Sequence, residues 1–128
     1  MAARAGIFWR GVAGAVKSSP ALAFYDLMNE PAIPAADTNT YCLGRFGGFC
    51  FTQNITKTPR GRTSATIARQ WLTQMVGAIR QDAGDAAHMI SIGTIFCGGG
   101  FELPATQGLI DFQIVTVTRA TTIRAPPT

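Results

Sequence analysis

Ala21-Leu22-Ala23-Phe24-Tyr25-Asp26-Leu27-Met28-Asn29-Glu30-Pro31 is an apolar run that stops at an amide, a carboxyl group and a ring-locked residue. From Ala21 to Met28 only Asp26 breaks a series of aliphatic, aromatic and sulfur-bearing side chains. That pattern predicts a strand buried on both faces, as parallel sheets use. Chemistry begins where the strand ends, and the carboxyl end of a parallel strand is where α/β barrels keep their active sites. Period two places Asp26, Met28 and Glu30 on one face, pointing inwards. A buried aspartate needs a donor or a cation, which in an intact barrel would come from strands this chain lacks.

Upstream, Phe8, Trp9, Val12 and Val16 recur at three- and four-residue steps and predict a helix over residues 7–17. Pro20 then ends it. Residues 31–63 carry three prolines, scattered glycines and little periodicity, and read as a long ordered loop on the rim. Its aromatics, Tyr41, Phe46, Phe49 and Phe51, either stack on sugar rings or anchor the loop to the body. Residues 64–81 form the clearest helix, with Ile67, Trp71 and Met75 four apart and Thr63 or Ser64 as its cap. Trp71 falls in the middle of that stripe and reads as core. Strands follow over residues 88–94 and 109–117. Strand, crossover helix and strand make a right-handed unit with parallel strands. The expected class is therefore α/β: a single domain over residues 1–128 with parallel strands and crossover helices, frayed over 119–128. Its two outer strands are expected to be open edges.

With 128 residues the chain is long enough for a real core but short of the about 250 that a whole barrel takes. A hydrophobic content of 47% against 14% charged residues argues against disorder. The net charge of +4 comes from eleven basic residues scattered along the chain, so a nucleic-acid partner is not expected. Only Lys57, Arg60 and Arg62 cluster, which reads as a solvated loop. Neither a signal peptide nor a membrane-spanning run is expected in this chain, and the compartment is left open. Cys42, Cys50 and Cys97 show no C-x-x-C spacing, so neither a metal site nor a disulfide framework is indicated. Buried free thiols are the default, and a bridge between Cys42 and Cys50 is the alternative.

The segment from Tyr25 to Pro31 resembles the strand-four signature of glycoside hydrolase family five, the cellulase-like retaining glycosidases. The resemblance continues in order through Tyr41-Cys42-Leu43-Gly44, Phe46-Gly47-Gly48, Ile67-Ala68-Arg69-Gln70-Trp71-Leu72, Ala78-Ile79-Arg80, His88-Met89-Ile90-Ser91-Ile92-Gly93 and Leu109-Ile110-Asp111-Phe112. It spans about residues 8–112. It implies an incomplete (β/α)8 TIM barrel, with the three predicted strands as its fourth, fifth and sixth, and hydrolysis of O-glycosyl bonds in a β-linked polysaccharide such as a glucan or mannan, with no cofactor. Retaining hydrolysis uses two carboxyl groups about 5 to 5.5 Å apart, one donating a proton to the leaving oxygen and one attacking the anomeric carbon. The resemblance makes Glu30 the general acid/base, protonated first and ionised later. It makes Asn29 the hydrogen-bond partner of the sugar 2-hydroxyl.

The chain departs from that pattern in two places. The family nucleophile is a glutamate on strand seven, and no residue here matches it. Glu102, in the loop after the predicted strand of residues 88–94, is the one geometric candidate for a second carboxylate; solvating its loop is its default role. Asp111 belongs to the opposite, stabilising end, and His88 is expected to be structural. After Asp111-Phe112 the family continues with a histidine and a tyrosine, but this chain continues Gln113-Ile114-Val115, as a shifted reading frame or an alternative end would produce. The expected function is thus a glycoside hydrolase fragment lacking its nucleophile and inactive alone, with a polysaccharide or oligosaccharide as partner. The alternative is a non-catalytic carbohydrate-binding or interaction module that uses the aromatic loop.

Overall fold

The computed structural model describes residues 2–46, 48–95 and 99–116, with the side chains of residues 2, 43–46, 51 and 95 left aside. Cys97 and the tail from residue 119 lie outside the described residues. The architecture is mixed α/β, with two α-helices and two small sheets among the described residues.

Helix α1 (Ala2–Val16) begins earlier than its periodicity suggests. Ala5, Trp9, Ala13 and Val16 form its packed stripe. Phe8, expected on that stripe, is instead 60% exposed, because it lies one helical step round from Trp9. After Pro20 the chain enters strand β1, which spans only Phe24–Asp26. The two-residue strand β2 (Pro31–Ala32) follows the Asn29-Glu30 corner.

The stretch expected to be a loop folds instead into a hairpin of β3 (Cys42–Phe46) and β4 (Phe49–Asn54). β4 pairs antiparallel with β3 and parallel with β2, making a three-stranded sheet in the order β2-β4-β3. Irregular register between Cys42 and Arg45 explains why no alternation shows in the sequence. Cys42 and Cys50 are joined by a disulfide, with their Cα atoms 5.7 Å apart. That corrects the expectation of free thiols: hairpin pairing brings together two cysteines that spacing alone does not relate.

Helix α2 (Ser64–Gly77) starts as expected, with the Thr63 hydroxyl accepting from the Thr66 backbone N–H, and passes into a π-helical turn (Ala78–Asp82). Strands β5 (Met89–Ile95) and β6 (Phe112–Thr116) complete an all-parallel sheet in the order β1-β5-β6. β1 and β6 are its edges.

One face of this sheet is buried against the helices. Tyr25, Leu27, Ile90 and Ile92 meet Trp71, Leu72, Met75 and Ile79 in one apolar cluster. The other face carries Phe24, Met89 and Ile114, which are 37%, 48% and 37% exposed. The apolar run of residues 21–28 is therefore buried on one face, not two. Asp26 is on the exposed-side face, and the Ser91 hydroxyl on β5 donates to its carboxylate at 2.9 Å. The partner that the sequence seemed to lack is supplied by the neighbouring strand.

Candidate functional site

Asn29 and Glu30 sit at the carboxyl end of β1, where the ladder to β5 goes out of step. The Leu27 N–H donates to the Ser91 carbonyl, the Gly93 N–H to the Met28 carbonyl, and the Glu30 N–H to the Gly93 carbonyl, each at 3.0 Å. A regular parallel ladder would use Leu27 and Asn29 opposite Gly93, so β1 carries one extra residue here, a bulge of the kind that re-aims side chains. Asn29, not Met28, thereby stands opposite Gly93. Period two holds to Leu27, which shares the core face with Tyr25, and the bulge then breaks it, so alternation no longer carries Glu30 onto the Asp26 face.

Glu30 takes a left-handed backbone conformation, with φ of 48°, and is half-buried. A non-glycine residue in this region is held there by its surroundings. Here the Glu30 N–H bond to Gly93 fixes one side, and β2 pairing fixes the other, Pro31 opposite Gln53 and Ala32 opposite Asn54. Its carboxylate makes no hydrogen bond or ion pair with the described residues. Asn29 is exposed.

Gly93 is what lets the corner approach so closely. A Cβ there would lie 3.2 Å from both the Asn29 Cα and its Oδ1, and 3.3 Å from the Met28 carbonyl oxygen. Gly93→Ala is expected to displace the Asn29-Glu30 corner and lower stability by about 1 to 3 kcal/mol, read by denaturant unfolding. An unchanged midpoint would show that the corner is loose.

Glu102 is exposed and turns back on its own loop, accepting from the Gly100 N–H at 3.4 Å. Nothing among the described residues presents a second carboxylate to Glu30 through a shared hydrogen bond. Asp111 is at the other end of the sheet, accepting from the Ile90 N–H at 2.7 Å and pairing with Arg80 at 3.1 Å.

The hairpin forms a wall beside the corner. A cleft of about 310 Å³ opens between Met28, Tyr41, the disulfide, Gln53 and Asn54. Tyr41 is 36% exposed, with the Lys57 ammonium 4.7 Å from its ring centroid. Arg62, from the same basic cluster, bonds to the Pro59 carbonyl and the Gln70 side chain, so it is tied into its loop. A larger groove, of about 570 Å³, runs between α1 and α2 past Arg10 and Asp82, on the helix side of the molecule.

Sequence reasoning missed the hairpin wall, although Phe46-Gly47-Gly48-Phe49 is a recognisable hairpin signal, two glycines between aromatics. It also missed a polar cluster at the amino end of the sheet. There Asp85, only 3% exposed, accepts from the Tyr25 hydroxyl at 2.6 Å and bonds His88 Nδ1 at 2.8 Å. His88 is thus held in a structural network remote from the corner. No helix among the described residues is long and apolar enough to cross a membrane. Compared with known protein families, curated protein sequences and solved structures, the chain matches none of them.

Proposed function

We propose that this chain carries the acid/base half of a retaining glycoside hydrolase acting on a β-linked polysaccharide, within part of a (β/α)8 barrel. The observation that supports this reading best is the corner itself. An Asn-Glu pair stands at the carboxyl end of a parallel strand, with Glu30 in a left-handed conformation and hydrogen-bonded through its backbone to the adjoining strand. The unpaired sheet face and the order β1-β5-β6, matching consecutive barrel strands four, five and six, agree with it. In this reading Glu30 protonates the leaving oxygen and Asn29 holds the 2-hydroxyl, while the attacking carboxylate is not supplied by these residues.

The chain alone is expected to release no reducing sugar from β-glucan or β-mannan. Added formate, a small carboxylate able to attack the anomeric carbon, should allow slow cleavage that Glu30→Gln abolishes. Release without formate, lost in Glu30→Gln, would refute the inactivity. Formate-dependent cleavage unchanged by that substitution would remove Glu30 from the mechanism, and no cleavage in either condition would count against the hydrolase reading.

A non-catalytic carbohydrate-binding module is the second reading, favoured by the half-exposed Tyr41 at the cleft. It expects sugar affinity that Tyr41→Ala removes, with no formate-dependent cleavage.

A further inference from the structure

We propose that the cleft between Met28, Tyr41, the Cys42–Cys50 disulfide and Asn54 is a subsite for one neutral, hydroxyl-bearing sugar ring, with Asn54 Oδ1 accepting from a ring hydroxyl. This deepens the saccharide reading above and rests on it for the choice of ligand.

Asn54 carries the argument. Its residue is 2% exposed, and its Nδ2 donates to the Thr40 carbonyl at 3.2 Å, which orients the amide. Its Oδ1 is buried and has no hydrogen-bond partner among the described residues, and the residue itself lines the cleft. A buried acceptor left in that state is costly, so it calls for a donor from outside the chain. The backbone cannot swing it away, because the Asn54 N–H bonds to the Tyr41 carbonyl at 2.6 Å and the Ile55 N–H to the Ala32 carbonyl at 2.8 Å.

The remaining walls define the donor's chemistry. None of the lining side chains is ionisable at neutral pH, and the nearby Lys57 ammonium lies over the Tyr41 ring, so the lining itself offers a ligand no charged partner. The Tyr41 ring, the Met28 thioether and the disulfide offer apolar surface, while Gln53 and Asn54 offer amides. A molecule with an apolar C–H face and a hydroxyl edge suits both, and a pyranose has that shape. The cleft is also tied to the corner, since Gln53 and Asn54 pair with Pro31 and Ala32 immediately after Glu30.

The test is a titration of the isotopically labelled full chain with cellobiose and mannobiose, followed by NMR. Saturable shifts are expected at the Asn54 side-chain amide and at Tyr41. Asn54→Leu is expected to weaken binding about tenfold, the loss of one buried hydrogen bond. Tyr41→Ala, which removes no side-chain hydrogen bond, should weaken it as well and serves if Asn54→Leu does not fold. The exposed control Gln107→Ala should bind as the parent does. Shifts centred elsewhere, no saturable shift, or parent-like affinity in both the Asn54 and Tyr41 variants would overturn the subsite. Loss of formate-dependent cleavage with Asn54-dependent binding intact would fail the hydrolase reading and keep the subsite.

Discussion

Replacing Asp85 with alanine is expected to destabilise the fold by about 3 to 5 kcal/mol, because it removes the acceptor for several buried donors at once. The carboxylate accepts from the Tyr25 hydroxyl, from the backbone N–H groups of Ala87 and His88 at 3.0 and 3.2 Å, and meets the His88 ring. Arg80 braces the same turn by donating to the carbonyls of Asp85 and His88 at 2.9 and 2.6 Å. Tyr25→Phe removes one bond only and should cost about 1 to 2 kcal/mol. Equal costs for the two variants would show that the other donors find water instead.

The same cluster gives stability a pH dependence at both extremes. Burial pushes the Asp85 carboxyl upwards, but hydrogen bonds from Tyr25, His88 and Ala87 outweigh it and hold the group well below the usual carboxylate range. The unfolded chain then binds the proton first, so this stabilisation is complete above about pH 4 and is lost as pH falls further. For Tyr25, burial, the bond to Asp85 and the negative charge of Asp85 together push the phenol up to about 12, against a smaller opposing pull from Arg80. Its contribution is complete below about pH 10 and is lost as pH rises from there to about 12. Denaturant midpoints measured across pH should show both limbs in the parent chain, and Asp85→Asn should flatten the acid one.

Phe101→Ala is expected to cost about 3 to 5 kcal/mol, the range for deleting a fully buried aromatic side chain. Phe101 is 0% exposed and meets Trp71 edge-to-face, with ring centroids 6.0 Å apart and planes at 90°. Its carbonyl accepts from Gln113 Nε2 at 2.6 Å, so the residue ties the loop after β5 to both α2 and β6. Phe101→Leu, which keeps most of the volume, should cost less than about 1.5 kcal/mol. Thermal and denaturant unfolding measure both. A cost below about 1 kcal/mol for the alanine variant would mean that the loop collapses onto Trp71 without loss.

Much of the frame is legible in the chain itself. The stripe of Ile67, Trp71 and Met75 identifies α2 and its buried face, and Thr63 marks its start. β5 and β6 lie close to their expected spans and the three strands are parallel, but only β1 and β5 are joined through a helix: the described residues 99–111 between β5 and β6 form turns, where a crossover helix was expected. The Asn29-Glu30 corner at the end of an apolar strand is also visible, although its role is a proposal. The neighbourhood of the corner is less legible. Nothing local says that Ser91 will meet Asp26, that Phe101 in a glycine-rich loop will be the largest fully buried side chain among the described residues, or that Asp85 will gather Tyr25 and His88.

Period and capping act between residues a few positions apart, and for that reason the sequence by itself determined the two α-helices, the parallel strands β1, β5 and β6 and the polar stop at Asn29. Pairing between distant segments has no such local signature. Only the tertiary structure decided the bulge that sets Asn29 against Gly93, the bridged hairpin beside Glu30 and the buried Asn54 oxygen, because each depends on which backbone groups remain free once the sheets have formed.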